Sequence, residues 1–252
     1  MTKENKRVIL VTGASRGVGK GIAEGLAQPN DIIICAARSL KQGTTVQQFG
    51  FAINSSLEDT VNNINKTGAQ GVPYPIDLNN SDEILNLAKF IADEYGQLDL
   101  LVHAACQIHD DLVTSKPYWE KSLDLWSVMD VGMKSNYFLS HALTPLMIES
   151  KGKLILQISS HGAMCYMHGP IYGAQKAAID KMAFDMAHDL KPFNVCSLSL
   201  WSGIVKDEKT QKVSEQHGEQ YAEFLKGAAS QEYAGMVINN IYKDPVIMSM
   251  TG

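Results

Sequence analysis

Residues 170–176 read PIYGAQK and place Tyr172 four positions before Lys176. In an α-helix, positions i and i+4 share a face, so a phenol and an ammonium would meet there. The spacing alone also describes an ordinary helix turn. Ser160 stands twelve residues before Tyr172, just past the apolar run GKLILQIS (152–159). A strand end, a short loop and a helix start can bring a hydroxyl, a phenol and an ammonium to one point. Such a set suits hydride transfer to a ketone, which leaves an alkoxide needing a proton donor and hydrogen-bond support. A free tyrosine titrates at about pH 10, and a nearby cation lowers that value. Tyr172 is therefore a candidate acid or base, Lys176 its tuner and Ser160 the group that orients the carbonyl.

A second constellation lies near the N-terminus. TGASRGVGKG (12–21) spaces Gly13, Gly17 and Gly19 as G-x-x-x-G-x-G, after the apolar run RVILVT (7–12). Glycines there permit a tight turn and a close backbone approach to a pyrophosphate, and the following helix offers free N–H groups and the positive end of its dipole. An NAD site wants an acid at the end of the second strand, on the ribose 2′-hydroxyl. This chain has CAARS there, with Ala36, Ala37 and then Arg38. Arg38, and Arg16 in the glycine loop, would receive a 2′-phosphate, so NADP(H) is expected over NAD(H). The alternative is two solvated surface arginines. Asp77, after the third strand, is a candidate partner for the adenine amino group. Its bland role is to cap the following loop with Asn79 and Asn80.

These residues need a scaffold. Six short apolar runs, at 7–12, 31–37, 71–77, 98–105, 152–159 and 194–200, alternate with helical patterns at 17–28, 55–67, 82–95, about 119–149 and 171–190. Near-continuous hydrophobicity marks strands covered on both faces, and the alternation predicts an α/β fold with a Rossmann-type, doubly wound parallel sheet. Ser81 before DEI reads as an N-terminal cap. At 252 residues, 45% hydrophobic and 19% charged, one domain over 1–252 is expected. A net charge of −5 without basic runs argues against nucleic acid, and no apolar stretch is long enough for a membrane span. Cys35, Cys106, Cys165 and Cys196 are scattered, which suggests reduced thiols in a cytoplasmic protein and no metal site.

The glycine loop, Asp77, Ser160 and the Y-x-x-x-K of Tyr172 and Lys176, in that order, resemble the short-chain dehydrogenase/reductase family along nearly the whole chain. VGMKSNYF (131–138), DKMAFDMAHDL (180–190) and SLSLWSGIVKDE (197–208) resemble one branch of it. The resemblance implies an NADPH-dependent carbonyl reductase of broad range, steroids and xenobiotic carbonyls among its substrates. It also implies a homo-oligomer, dimer or tetramer, and cofactor contacts at Gly13, Ser15, Arg16, Gly17, Val18, Gly19, Arg38, Asp77, Leu78, Ala104, Ala105, Tyr172, Lys176, Gly203 and Ile204.

Four departures stand against that pattern. N-N-A-G after the fourth strand is replaced by His103, Ala104, Ala105 and Cys106, and His103 is expected to be a hydrogen-bonded core histidine. Gly132 replaces the asparagine that holds a relay water; a bulge there could let its backbone carbonyl hold the water instead. Asp207 replaces a threonine near the cofactor, where a carboxylate would repel a pyrophosphate, so it should point away, or the loop should be displaced. The chain ends at SMTG, where the family continues into a seventh strand; either the sequence is truncated there or the protein dispenses with that last strand.

On the substrate side, 106–117, 161–170 and a lid over about 203–228 should form walls, with Met164, Tyr166 and Met167 supplying an adaptable apolar surface. The insertion 40–56 is polar and without an evident role. The competing reading is an NADP(H)-binding sensor or interaction module with little turnover.

Overall fold

The computed structural model describes residues 6–217 and 225–252. The chain forms two compact units, Met1–Pro75 with Ser202–Asp244 and Ile76–Trp201 with Pro245–Gly252. Each is assembled from two separated stretches of chain.

In the first unit, β1 (Val8–Thr12) and β2 (Ile32–Ala37) are wholly buried. They pair in parallel from Val8↔Ile32 to Thr12↔Ala36. A hairpin of β3 (Thr45–Gln48) and β4 (Phe51–Asn54) follows, and then β5 (Gln70–Pro75), parallel to β2. Helix α1 (Gly17–Leu26) packs beside β1, and α2 (Leu57–Asn65) against β2 and β5. Ser56 caps α2 by accepting from Asp59 N, and Glu58 and Asp59 sit in its first turn, where acids suit the helix dipole. The sequence pattern missed the hairpin inside 40–56. Its strands are short and mostly exposed, so hydrophobicity did not betray them.

In the second unit, β6 (Leu100–His103), β7 (Leu154–Ser159) and β8 (Cys196–Trp201) run parallel. Helix α3 (Ser81–Tyr95) is capped by Asn80, which accepts from Asp82 N and Glu83 N, so Ser81 is the first helical residue rather than the cap. The expected helix over 119–149 is interrupted. It breaks into 3-10 turns at Tyr118–Glu120 and Leu123–Trp126, a short α4 (Ser127–Met129), a π-turn at Asp130–Lys134, and only then α5 (Ser135–Ser150). Helix α6 (Pro170–Leu190) lies against β7 and β8. Counting the six parallel strands in chain order, the units hold 3-2-1 and 4-5-6, the two halves of a Rossmann-type doubly wound sheet. At the β8 edge, Ser197 donates its N–H to Thr251 Oγ1 at 3.0 Å and accepts from Gly252 N at 3.1 Å.

Back in the first unit lie α7 (Glu208–His217) and α8 (Tyr233–Lys243). Helix α8 lies on α1 at backbone distance, since a Cβ at Gly235 would come within 2.5 Å of the Ile22 carbonyl oxygen. One buried polar cluster ties this unit together. Arg7 donates to both carboxylate oxygens of Asp31 and to Asn239 Oδ1 at 2.9 Å, with its guanidinium 5.2 Å from the Tyr242 ring. Breaking such a pair strands a buried charge, a loss of about 3–5 kcal/mol. Asp31→Ala should lower the unfolding free energy by about that amount in urea titrations, whereas Lys89→Ala, which removes an exposed ion pair to Asp93, should change it by less than about 0.5 kcal/mol.

Candidate active site

Helix α6 begins where its sequence demands. Gly169 has φ +96°, a conformation that side chains resist, and Pro170 fits the first helical position, where no N–H is needed. Tyr172 is then fixed on the first turn. Strand β7 ends at Ser159, and Ser160 starts a 3-10 turn by accepting from Gly162 N at 3.2 Å. A Cβ on Gly162 would lie 2.7 Å from Tyr172 Cε1, so only glycine lets this turn meet the ring. The result is a Ser160 Oγ to Tyr172 OH distance of 3.1 Å. One turn further along α6, buried Lys176 donates to Ile158 O at 3.0 Å, and its ammonium stands 5.5 Å from the Tyr172 ring centre.

The structure thus brings Ser160, Tyr172 and Lys176 together. Without a cofactor, burial is the largest influence on the phenol. Burial raises the Tyr172 pKa above its ordinary value, outweighing the hydrogen bond from Ser160 that lowers it; Cys106 adds a smaller upward push. Burial thus favours the protonated phenol. Its ring packs beside Leu112, Leu125 and Val128, with Cys106, Ile108 and Ile171 around them. This apolar cluster includes part of 106–117. By contrast, Met164 and Tyr166 are 82% and 83% exposed and are not part of that cluster. The lid expected over 203–228 lies partly outside the described residues.

In the first unit, Gly13 and Gly17 take φ +73° and +55°. A Cβ on Gly19 would come within 2.3 Å of the Gly13 carbonyl oxygen, so this turn closes only around glycine. Ser15 is buried and shares a hydrogen bond with Ser55, which also accepts from Arg16. Burial first, and then the neighbouring Arg38, lower the Arg16 pKa, while Glu208 and Asp207 oppose them. Two guanidiniums that repel each other mark a place suited to an anion. Val18 is half-buried on α1, while Gly203 (φ +67°) and Ile204 are exposed on the stretch leading to α7. Ser55 was not singled out from sequence; its only signal is the SS pair at the hairpin's end.

The remaining expected cofactor contacts belong to the second unit. Asp77 accepts from Asn79 N at 3.0 Å, and its own N–H donates to Glu83, so the loop-capping role is occupied. Leu78 is buried; Ala104 and Ala105 are half-buried after β6. His103 is fully buried, with Nε2 2.8 Å from Ser140 Oγ, and burial pushes its pKa down to about 3. It is a neutral core histidine.

The family model described as short chain dehydrogenase matches residues 7–218. The chain belongs to the short-chain dehydrogenase family. Dehydrogenase/reductase SDR family member 1 from Homo sapiens is 32% identical over 98% of this chain and 78% of its own. Among solved structures, a metagenomic short-chain oxidoreductase in complex with NADP is 26% identical, with a TM-score of 0.67 over 78% of this chain and 82% of that one. A 3-oxoacyl (acyl-carrier-protein) reductase from Agrobacterium tumefaciens with NADP bound has a TM-score of 0.78 at 23% identity, covering 97% of this chain and 90% of that one. The last likeness shows the fold. Among the described residues no helix is long and apolar enough to cross a membrane and no cluster of metal-ligating side chains occurs.

Within this short-chain dehydrogenase, Gly132 does sit in a π-turn, the bulge its sequence suggested. Its carbonyl is not open to water, however. It accepts from Gln175 Nε2 at 2.7 Å and from Asn136 Nδ2 at 3.1 Å, which uses both lone pairs. A Cβ at 132 would lie 2.7 Å from Gln175 Nε2. Glycine on the π-turn and glutamine on α6 are therefore a matched pair. Gly132→Ala should cost about 1–3 kcal/mol of stability, and adding Gln175→Ala should recover part of it, a coupling of at least about 0.5 kcal/mol in a double-mutant cycle.

Proposed function

We propose that this chain is an NADP(H)-dependent reductase of ketones or aldehydes, running in reverse on the alcohols. We read 1–252 as one cofactor-binding domain, because each compact unit is built from two interleaved stretches. The observation that carries the reading is the 3.1 Å approach of Ser160 Oγ to Tyr172 OH, with the Lys176 ammonium beside the same ring.

The glycine turn fits a dinucleotide, since the Gly13–Gly19 crossing leaves backbone rather than side chain at the start of α1. Gly13, Ser15, Gly17, Val18 and Gly19 would face the pyrophosphate, and Arg16 and Arg38 a 2′-phosphate. The absence of an acid at 36–38 and the NADP of the metagenomic relative support that preference. When bound, the reduced cofactor supplies hydride to the carbonyl carbon. Ser160 and Tyr172 donate hydrogen bonds to the carbonyl oxygen. Tyr172 then gives up its O–H proton as that oxygen becomes an alkoxide. The Lys176 ammonium, anchored by Ile158 O, stabilises the phenolate left behind, which is reprotonated from solvent. The apolar cluster of Leu112, Leu125, Val128 and Ile171 packed beside the Tyr172 ring supports an apolar carbonyl compound as substrate. A sensor with little turnover is the second reading, favoured by the acids of 207–208 at the glycine turn.

Three measurements test this. Tyr172→Phe should lower NADPH-dependent reduction across a ketone, aldehyde and quinone panel by about 100-fold or more, with NADPH affinity changed less than about threefold. Tight NADPH binding without turnover in the unaltered protein would select the sensor instead. Because a donor acts only while protonated and the phenol's pKa is raised, kcat/KM for reduction should stay level from about pH 6 to 9 and fall above about 10. A fall between about pH 6 and 8 would contradict the role of Tyr172. Arg38→Ala should weaken NADPH binding about tenfold and leave NADH binding unchanged.

A further inference from the structure

The N-terminus of α1 already has an anionic partner. Arg16, at the cap position, makes no side-chain cap. Instead Gly17 N, the first helical amide, donates to Glu208 Oε2 at 3.3 Å. The same oxygen accepts from Gln231 Nε2 at 2.9 Å, and Glu208 Oε1 lies 3.8 Å from Lys20 Nζ. Asp207 does not point away, as the sequence had suggested. A Cβ on Gly17 would be 3.2 Å from Asp207 Oδ2, and Asp207 is buried.

These acids are delivered by a built element. Asp207 caps α7 reciprocally: its Oδ1 accepts from Thr210 N at 2.7 Å and its N–H donates to Thr210 Oγ1 at 2.9 Å. One turn on, α7 is strapped to the β3–β4 hairpin. Lys212 donates to Ala52 O, and the Lys209 ammonium stands 6.0 Å from the Phe49 ring. The hairpin in turn hands the chain to Ser55, which bonds Ser15 and Arg16 of the glycine loop. The polar insertion 40–56 thereby acquires a role: it holds α7 where its first carboxylate reaches the Gly17 amide.

We infer that Glu208 is an internal competitor for the phosphate-binding end of α1, so that an anionic dinucleotide must displace it and release α7 from the glycine turn. One amide N–H serves one acceptor well, and a carboxylate and a pyrophosphate repel each other across it. Cofactor binding is thereby coupled to the position of 203–217. The inference rests on the cofactor reading above.

The test is a titration of NADPH, and separately of adenosine 2′-monophosphate, into the unaltered protein, Glu208→Gln and Glu208→Ala. The nucleotide monophosphate carries the 2′-phosphate but no pyrophosphate. Both variants should bind NADPH on the order of tenfold more tightly, the worth of a charge-assisted hydrogen bond, and the monophosphate within about twofold of the unaltered protein. Hydrogen exchange without cofactor gives a second readout: amides of 208–217 should exchange faster in Glu208→Gln. Unchanged or weaker NADPH binding in the variants, equal tightening of both ligands, or unchanged exchange would overturn the inference. Failure of every protein to bind NADPH or NADH would instead remove the cofactor reading, and this inference with it.

Discussion

At Gly19 a side chain would run into the Gly13 carbonyl, and at Gly162 into the ring of Tyr172. Van der Waals exclusion at these two points governs both chemically interesting regions. Without a Cβ at 19, the chain can fold back at once from β1 into α1 and present amides rather than side chains. Without one at 162, the turn after β7 can lie against the phenol, and Ser160 comes within hydrogen-bond reach of it. Everything else in the two regions adjusts to these close approaches.

The Ser160–Tyr172–Lys176 set illustrates how burial and hydrogen bonding compete. Burial raises the Tyr172 pKa, and the opposing influence is the hydrogen bond with Ser160. The Lys176 ammonium spends one hydrogen bond on Ile158 O and lies beside the ring rather than on the hydroxyl. A tyrosine so placed stays protonated through neutrality.

Gly132 and Asp207 looked from the sequence like losses, and each gains an explanation from its neighbours. Gln175 fills the space beside Gly132 and saturates its carbonyl together with Asn136, so the glycine is the vacant half of a fitted contact rather than a gap. Asp207 caps α7 and stands at the glycine turn, with Glu208 taking the amide itself. Consecutive acids at a helix start are usually read as dipole compensation. Here they also face the positive end of a second helix.

The sequence by itself determined the alternation of strands and helices, the glycine turn, the family, and the candidate trio at 160, 172 and 176. These rest on local pattern: hydrophobic periodicity, glycine spacing and an i, i+4 pair survive in one dimension. It missed the β3–β4 hairpin, whose short exposed strands carry no periodic signal, and it ran a helix through 119–149, whose start breaks into 3-10 turns. Only the tertiary structure decided which way the Tyr172 pKa moves, who occupies the Gly132 carbonyl and that Glu208 sits on the Gly17 amide. Those outcomes depend on burial and on contacts between residues 43 and 191 positions apart, and such distances in the chain leave no trace in local composition.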